Sequence, residues 1–288
     1  MKEIVVLSGK GGTGKTTIVA SLAALAKDKV LCDCDVDAAD LHLLLKPKRK
    51  ETHEFRSGQT AKIDEKLCTR CGLCQEVCRF GAIKDLKIDP TACEGCGFCW
   101  RVCPENAITM EENLAGHWFV SDTKYGTLVH ARLGIAQENS GKLVNVVRQN
   151  ARSIVVQKEG FEYIITDGPP GIGCPVISSL SGANLALLVT EPTLSGMHDL
   201  ERVIGVCRHF GVPPFVCINK YDLNEENTQR IEMFCHEQKI EVAAKLPFDN
   251  VVTEALVQSI PVVEYRQNGV THQIEIMWQK IRQALGEE

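Results

Sequence analysis

The sequence predicts an α/β fold, a doubly wound and mostly parallel sheet, with a small cysteine-rich α+β domain inserted in it. Three observations carry this. An apolar strand near the start runs into a glycine-rich turn and a helix; strand-like and helix-like segments alternate on both sides of the cysteine-rich region; and eight of the fourteen cysteines fall in two tight runs. The 288 residues suffice for one large α/β domain plus something small. A hydrophobic content of 44% is ordinary for a globular chain, and a net charge of −5 gives no electrostatic case for nucleic acid as the main partner. No secretory leader and no apolar run of membrane-spanning length is read.

The first element is Ile4 to Ser8, a buried strand by its unbroken apolar run. Gly9, Gly14, Lys15 and Thr16 follow with the spacing of a phosphate-binding loop, and Thr17 to Ala26 reads as the helix behind it. Successive backbone N–H groups can wrap a phosphate only where side chains stay clear, hence the glycines. Lys15 is expected to reach the β- and γ-phosphates, and the Thr16 hydroxyl to face Mg²⁺. Gly9, Lys10, Gly11, Gly12, Thr13, Gly14, Lys15, Thr16 and Thr17 are thus the candidate nucleotide-binding residues. With Lys10, the run resembles the deviant Walker A motif of the MinD/ParA superfamily, which includes division-site and plasmid-partition ATPases and the nitrogenase iron protein. The resemblance implies an ATP-dependent homodimer in which Lys10 crosses to the partner's nucleotide.

Lys29 to Asp33 is a second short strand, ending in Asp33, Cys34 and Asp35. Carboxylates at the carboxyl end of such a strand lie where ligands bind in open α/β sheets. By resemblance to the family's switch I, Asp35 orients the attacking water, making Lys10, Lys15 and Asp35 the candidate catalytic set, and Asp33 bonds Mg²⁺-bound water. Cys34 reads as a packing residue. Ala38 to Leu45 reads as a helix ended by Pro47, the basic run Lys46 to Lys50 as a solvated linker, and Thr52 to Lys62 as a polar stretch with no chemistry assigned.

Cys68, Cys71, Cys74 and Cys78 are spaced C-x2-C-x2-C-x3-C. Cys93, Cys96, Cys99 and Cys103 repeat the pattern 25 residues later. Phe80-Gly81-Ala82-Ile83 and Glu105-Asn106-Ala107-Ile108 recur after each run, so the region is a duplicated unit. The pattern is that of bacterial two-cluster ferredoxins, where the fourth cysteine of each run ligates the other cluster. One 4Fe-4S cluster is therefore expected on Cys68, Cys71, Cys74 and Cys103, the other on Cys93, Cys96, Cys99 and Cys78. Zinc, which favours separated pairs, is the lesser alternative. Cys78-Arg79 replaces the Cys-Pro that ends the second run. Clustered cysteines in a nucleotide-binding chain point to a reducing, cytoplasmic setting.

Beyond Met110 the α/β pattern returns. His117 to Ser121 reads as a strand, Gly126 to Ala136 follows, and Glu138 to Lys142 opens a helix carrying Leu143, Val146 and Val147. Phe161 to Asp167 is a buried strand ending in an acid, followed by the stiff turn Gly168-Pro169-Pro170-Gly171. This resembles Walker B and switch II, with Asp167 on the Mg²⁺ side. Cys174 lies at the offset where the nitrogenase iron protein carries an interface cysteine, and it is a candidate interface residue. Leu185 to Thr190 and Phe215 to Asn219 are further strands. By resemblance Asn219 reads the adenine edge and Pro247, Phe248 and Asp249 flank the base, which favours ATP; Asn219-Lys220-x-Asp222 also echoes the guanine-reading motif of GTPases. The last helix (Ile274, Met277, Trp278, Ile281, Leu285) lacks a basic face before Gly286-Glu287-Glu288, so core docking is favoured over membrane association.

The expected organisation is an ATPase domain from 1–57 and 114–288 with a ferredoxin domain at 58–113. The expected function is a dimeric ATPase whose nucleotide state is coupled to electron transfer, or to cluster or metal delivery, to a redox or metallocofactor acceptor protein. A cluster carrier without redox turnover and a partition or positioning ATPase are the alternatives.

Overall fold

The computed structural model describes residues 1–134, 139–158 and 160–287. The expected stretches through Ile135, Ala136, Glu138 and Glu288 lie outside them. Chain order is β1 (Lys2–Ser8), α1 (Lys15–Leu25), β2 (Lys29–Asp33), α2 (Leu41–Leu45), β3 (Lys48–Ile63), α3 (Leu73–Glu76), β4 (Ile83–Lys84), β5 (Lys87–Ile88), α4 (Phe98–Val102), β6 (Ile108–Thr123) and β7 (Gly126–Leu133). There follow α5 (Ser140–Gln157), β8 (Tyr163–Pro170), α6 (Cys174–Leu180), β9 (Leu185–Thr190), α7 (Leu194–His209), β10 (Pro214–Asn219), α8 (Glu225–Glu237), β11 (Glu241–Leu246), α9 (Asn250–Val257), α10 (Val262–Tyr265) and α11 (Gly269–Ala284). Nine strands form one sheet in the order β11-β10-β9-β1-β8-β2-β7-β6-β3. The pairs from β10–β11 to β2–β7 are parallel.

The unbroken apolar run of β1 follows from burial on both faces, as a parallel sheet covered by helices requires. Ile4 and Val6 join a core shared with α1 and α11, whereas Val5 and Leu7 join one shared with α6, α7 and α8. Glu3, only 1% exposed, is held by Arg148 and Arg152 of α5, and Arg148 also donates to the Ser178 and Ser181 carbonyls around the end of α6.

The chain divides into two compact units: Met1–Thr52, Trp118–Arg132 and Ser140–Glu288, and His53–His117 with Leu133–Asn139. The second has its own small core, in which Ala61, Cys74, Ile83 and Ile108 pack with Ile63, Ile88, Met110 and four further cysteines. α3 and α4 are each entered through a left-handed glycine, Gly72 and Gly97, at φ +80° and +70°. This repeats the duplication in the backbone.

Several elements differ from the sequence reading. The basic run is not a linker throughout: Lys48 to Lys50 open β3, the last strand of the sheet, and the polar stretch Thr52 to Lys62 continues it. Phe55, Ser57 and Ala61 are buried while the Lys, Glu and Arg side chains of the strand are exposed, the composition of a charged edge strand. His117 to Ser121 is part of the longer β6, joined to β7 by Lys124 and Tyr125 alone. The expected turn at Gly168 to Pro170 continues β8, and the turn comes at Gly171, φ +92°. A Cβ on Gly168 would strike Leu7 and Val6, so close strand approach explains that glycine.

Candidate functional site

The phosphate loop occupies the carboxyl end of β1, which lies between β8 and β9 where the strand order reverses. Gly14 caps α1 at φ +92°, and any Cβ there would lie 2.6 Å from the Asn219 amide nitrogen. That amide donates to the Thr13 carbonyl (2.8 Å), and the Ser8 hydroxyl donates to the Lys10 carbonyl (2.6 Å), so the loop is tied at both ends. A Cβ on Gly9 would collide with Asp199 of α7. This close approach by itself requires a glycine at position 9.

The loop borders a cavity of about 660 Å³. Gly11, Gly12, Gly14, Lys15, Thr16, Thr17, Asp35, Asn219, Pro247, Phe248 and Asp249 line it, as do Asp37, Asp40, Pro169, Pro170 and Lys220. Its size is that of a small-molecule site. The opposite end is apolar, with Val252, Leu256, Val262, Val270 and Ile274 from α9, α10 and α11. Sequence reasoning missed this end, because those residues carry only the amphipathic periodicity of ordinary core helices.

Gly9, Lys10, Thr13, Asp33 and Asp167 are not among the lining residues. Asp33 and Asp167 are register partners on β2 and β8. Burial, then Asp167 and Asp35, pushes the Asp33 carboxyl well above its ordinary range. Its oxygens accept from the Asp35 and Leu41 amides, each at 3.2 Å. Burial lifts Asp167 to about 7, and the nearby Thr16 hydroxyl and Lys15 pull it down; among the described residues no hydrogen bond of ordinary geometry reaches either carboxylate oxygen. The Thr13 hydroxyl is likewise buried without a partner. Asp35 is raised by burial against the pull of Lys15. An unbonded buried carboxylate beside the Thr16 hydroxyl is a fitting place for a hard cation such as Mg²⁺.

Lys10 pairs with Glu191 at 3.4 Å. Asn219 spends its amide on Thr13 and accepts from the Lys220 N–H with its oxygen. Asp222 accepts from the Phe248 N–H (2.7 Å). Asp249 caps α9 through Val251 and accepts from Asn268. Cys174 is exposed at the start of α6, against Gly141.

In the second unit two small cavities, each of about 20 Å³, are bordered by cysteines. Cys68, Cys71, Cys74 and Cys103 line one; Cys78, Cys93, Cys96 and Cys99 line the other. Each set takes three residues from one run and the fourth from the other. All eight are free, as are Cys32, Cys34, Cys207, Cys217 and Cys235, which are buried elsewhere. Among the described residues no three His, Cys, Asp or Glu side chains converge as the ligands of a single metal ion.

The family described as the CobQ/CobB/MinD/ParA nucleotide binding domain matches residues 4–262. The chain belongs to this family, and its fold is that of the α/β P-loop NTPases. It is 32% identical over 286 residues to an uncharacterised Methanocaldococcus jannaschii protein, covering 98% of this chain and 97% of that one. It is also 32% identical over 208 residues to the septum site-determining protein MinD of Synechocystis, covering 70% and 58%. Similar solved structures include MinD of Pyrococcus horikoshii with Mg-ADP (TM-score 0.61, 18% identity, 99% and 97% covered) and the Cyanothece McdA(D38A)–ATP complex (TM-score 0.60, 19% identity, 100% and 97% covered).

Proposed function

We propose that the chain is a Mg-ATP-hydrolysing dimeric switch of the MinD/ParA type whose second unit holds two 4Fe-4S clusters. The nucleotide half rests on one observation: a cavity presenting the glycine loop and Lys15, with the unbonded Asp167 carboxylate beside Thr16. Lys15 holds the phosphates, and Thr16 and Asp167 serve Mg²⁺, with Asp33 behind them. Asp35 orients the attacking water, and Lys10 reaches the nucleotide of a second copy. Adenine is favoured over guanine by the family resemblance of Asn219 and of Pro247, Phe248 and Asp249, which line the same cavity.

The cluster half rests on the two cysteine-lined cavities. A tetrahedral zinc needs four donors converging on one ion, whereas a cubane needs one thiolate at each of four corners around a cavity. The cysteines fit the second description. Clusters bound there supply one-electron storage. The chain reaches this unit through β3, shortly after Asp35 and α2, so the nucleotide state is read out as engagement of a redox or metallocofactor acceptor protein.

The test is anaerobic. Purified protein should contain iron and sulfide, bind ATP with Mg²⁺, form a dimer with ATP but not ADP, and retain a partner only with ATP. Nucleotide-independent partner capture would sink the coupling, and absence of iron after anaerobic reconstitution would sink the cluster half.

A positioning ATPase is the second reading, favoured by the septum-site relatives and the McdA likeness. It predicts hydrolysis that depends on a surface or a membrane. It assigns no role to the eight cysteines.

A further inference from the structure

Glu191, the residue after β9, stands between two lysines of the nucleotide site. One carboxylate oxygen is 3.4 Å from Lys10 Nζ and the other 2.7 Å from Lys220 Nζ, and the Glu191 side chain is only 16% exposed. Its place is set by its surroundings: the Thr193 N–H donates to its carbonyl (2.7 Å), and Gly196 leaves no room for a Cβ against that carbonyl. Burial would raise the Glu191 carboxyl, but Lys220 and Lys10 hold it below its ordinary range. Lys10 is thus held at both levels, its backbone carbonyl by Ser8 and its ammonium by Glu191, and its side chain is committed to its own subunit.

We infer that Glu191 is a positioning residue that retains Lys10 within its own subunit and thereby restrains ATP-driven dimerisation. The inference rests on the dimer reading above. Lys10 cannot bond a partner's nucleotide while its ammonium is paired with Glu191. Release is inexpensive for two reasons. The Lys10 side chain is one-third exposed, so the pair is partly screened by water. Lys220 also remains on the carboxylate after Lys10 leaves, so no buried charge is stranded. The arrangement is a brake that ATP binding can overcome, not a lock.

The experiment compares wild type, Glu191→Gln and Glu191→Asp by sedimentation with Mg-ATP and with Mg-ADP. Affinity of the monomer for a fluorescent ATP analogue is measured alongside. Glu191→Gln should tighten the ATP dimer about tenfold, from about threefold per released lysine in each of two subunits. Nucleotide affinity of the monomer should stay within about twofold, a difference below half a kcal/mol. Glu191→Asp, which keeps the charge, should behave as wild type. In a Lys10→Ala background Glu191→Gln should have no effect on association, because the brake acts only through that lysine.

An unchanged or weakened dimer in Glu191→Gln would overturn the inference. So would tightening that persists without Lys10, or a nucleotide affinity that falls about tenfold, which would make Glu191 a tie for the Lys220 loop instead. If wild type itself fails to dimerise with ATP, the switch reading falls and this inference with it. That outcome is visible before any variant is made.

Discussion

Two buried titratable residues with opposite charge logic lead to separate pH effects. Asp167 has its carboxyl raised to about 7 by burial. In the nucleotide-free protein it binds a proton that the unfolded chain releases near pH 4, so this residue costs stability as pH rises from about 4 to about 7. In the Mg²⁺-holding role proposed for Asp167 the carboxylate is the competent form, so below pH 7 binding must expel the proton. Mg-nucleotide affinity should therefore fall up to about tenfold per pH unit as pH drops below 7. Calorimetry in buffers of different ionisation enthalpy should detect proton release, and Asp167→Asn should abolish it. His130 has its basicity lowered to about 4 by burial, then by His42 and Arg49. Here the folded state binds fewer protons than the unfolded chain, so stability is complete above pH 6.5 and is lost as pH falls from 6.5 towards 4. The loss should reach roughly 3 kcal/mol at the low end, and His130→Asn should flatten that part of a stability–pH curve.

At the level of elements, the clearest constraint is the tie among β1, α5 and α6. Glu3 is 1% exposed and Arg148 2%, and the Arg148 guanidinium donates to Glu3 and to the Ser178 and Ser181 carbonyls. Removing the arginine leaves a buried carboxylate to the more exposed Arg152. Arg148→Ala should therefore cost about 3–5 kcal/mol in denaturant unfolding, several times the effect of losing an exposed pair such as Arg230–Glu226. At the opposite end of the sheet, Lys280 of α11 donates to the Val242 carbonyl of β11, so a lysine blunts that edge as the charged face of β3 does the other. β3 was hard to read because an edge strand buries only one face, and its exposed face looked like linker.

For the molecule as a whole, the two cysteine-lined cavities give a prediction that separates shared from independent clusters. Anaerobically reconstituted protein should carry about eight iron atoms per chain, with a broad visible absorption bleached by dithionite. Cys103→Ser should remove the cluster held with Cys68, Cys71 and Cys74 and leave the other, dropping iron to about half. Cys78→Ser should do the converse. Loss of all iron from either variant would show that the two sites do not form independently.

The sequence by itself determined the features whose chemistry is local. The glycines and lysines of the phosphate loop lie within nine residues, and the cysteine runs repeat within a few turns of chain. Spacing over such distances constrains geometry, because each intervening residue leaves only two soft dihedrals. The alternation of elements carried the α/β fold for the same reason. What depends on strand order was decided only by the tertiary structure. It carries Lys10 to Glu191 and Asn219 to Thr13, across 181 and 206 residues. It brings three C-terminal helices to the apolar end of the cavity, and it buries the Asp167 carboxylate beside Thr16 and Lys15. No periodicity records those meetings, because residues far apart in the chain acquire their charge environment only when the sheet assembles. The phosphate loop was therefore legible from its first glycine, whereas the carboxylate that restrains its signature lysine was not.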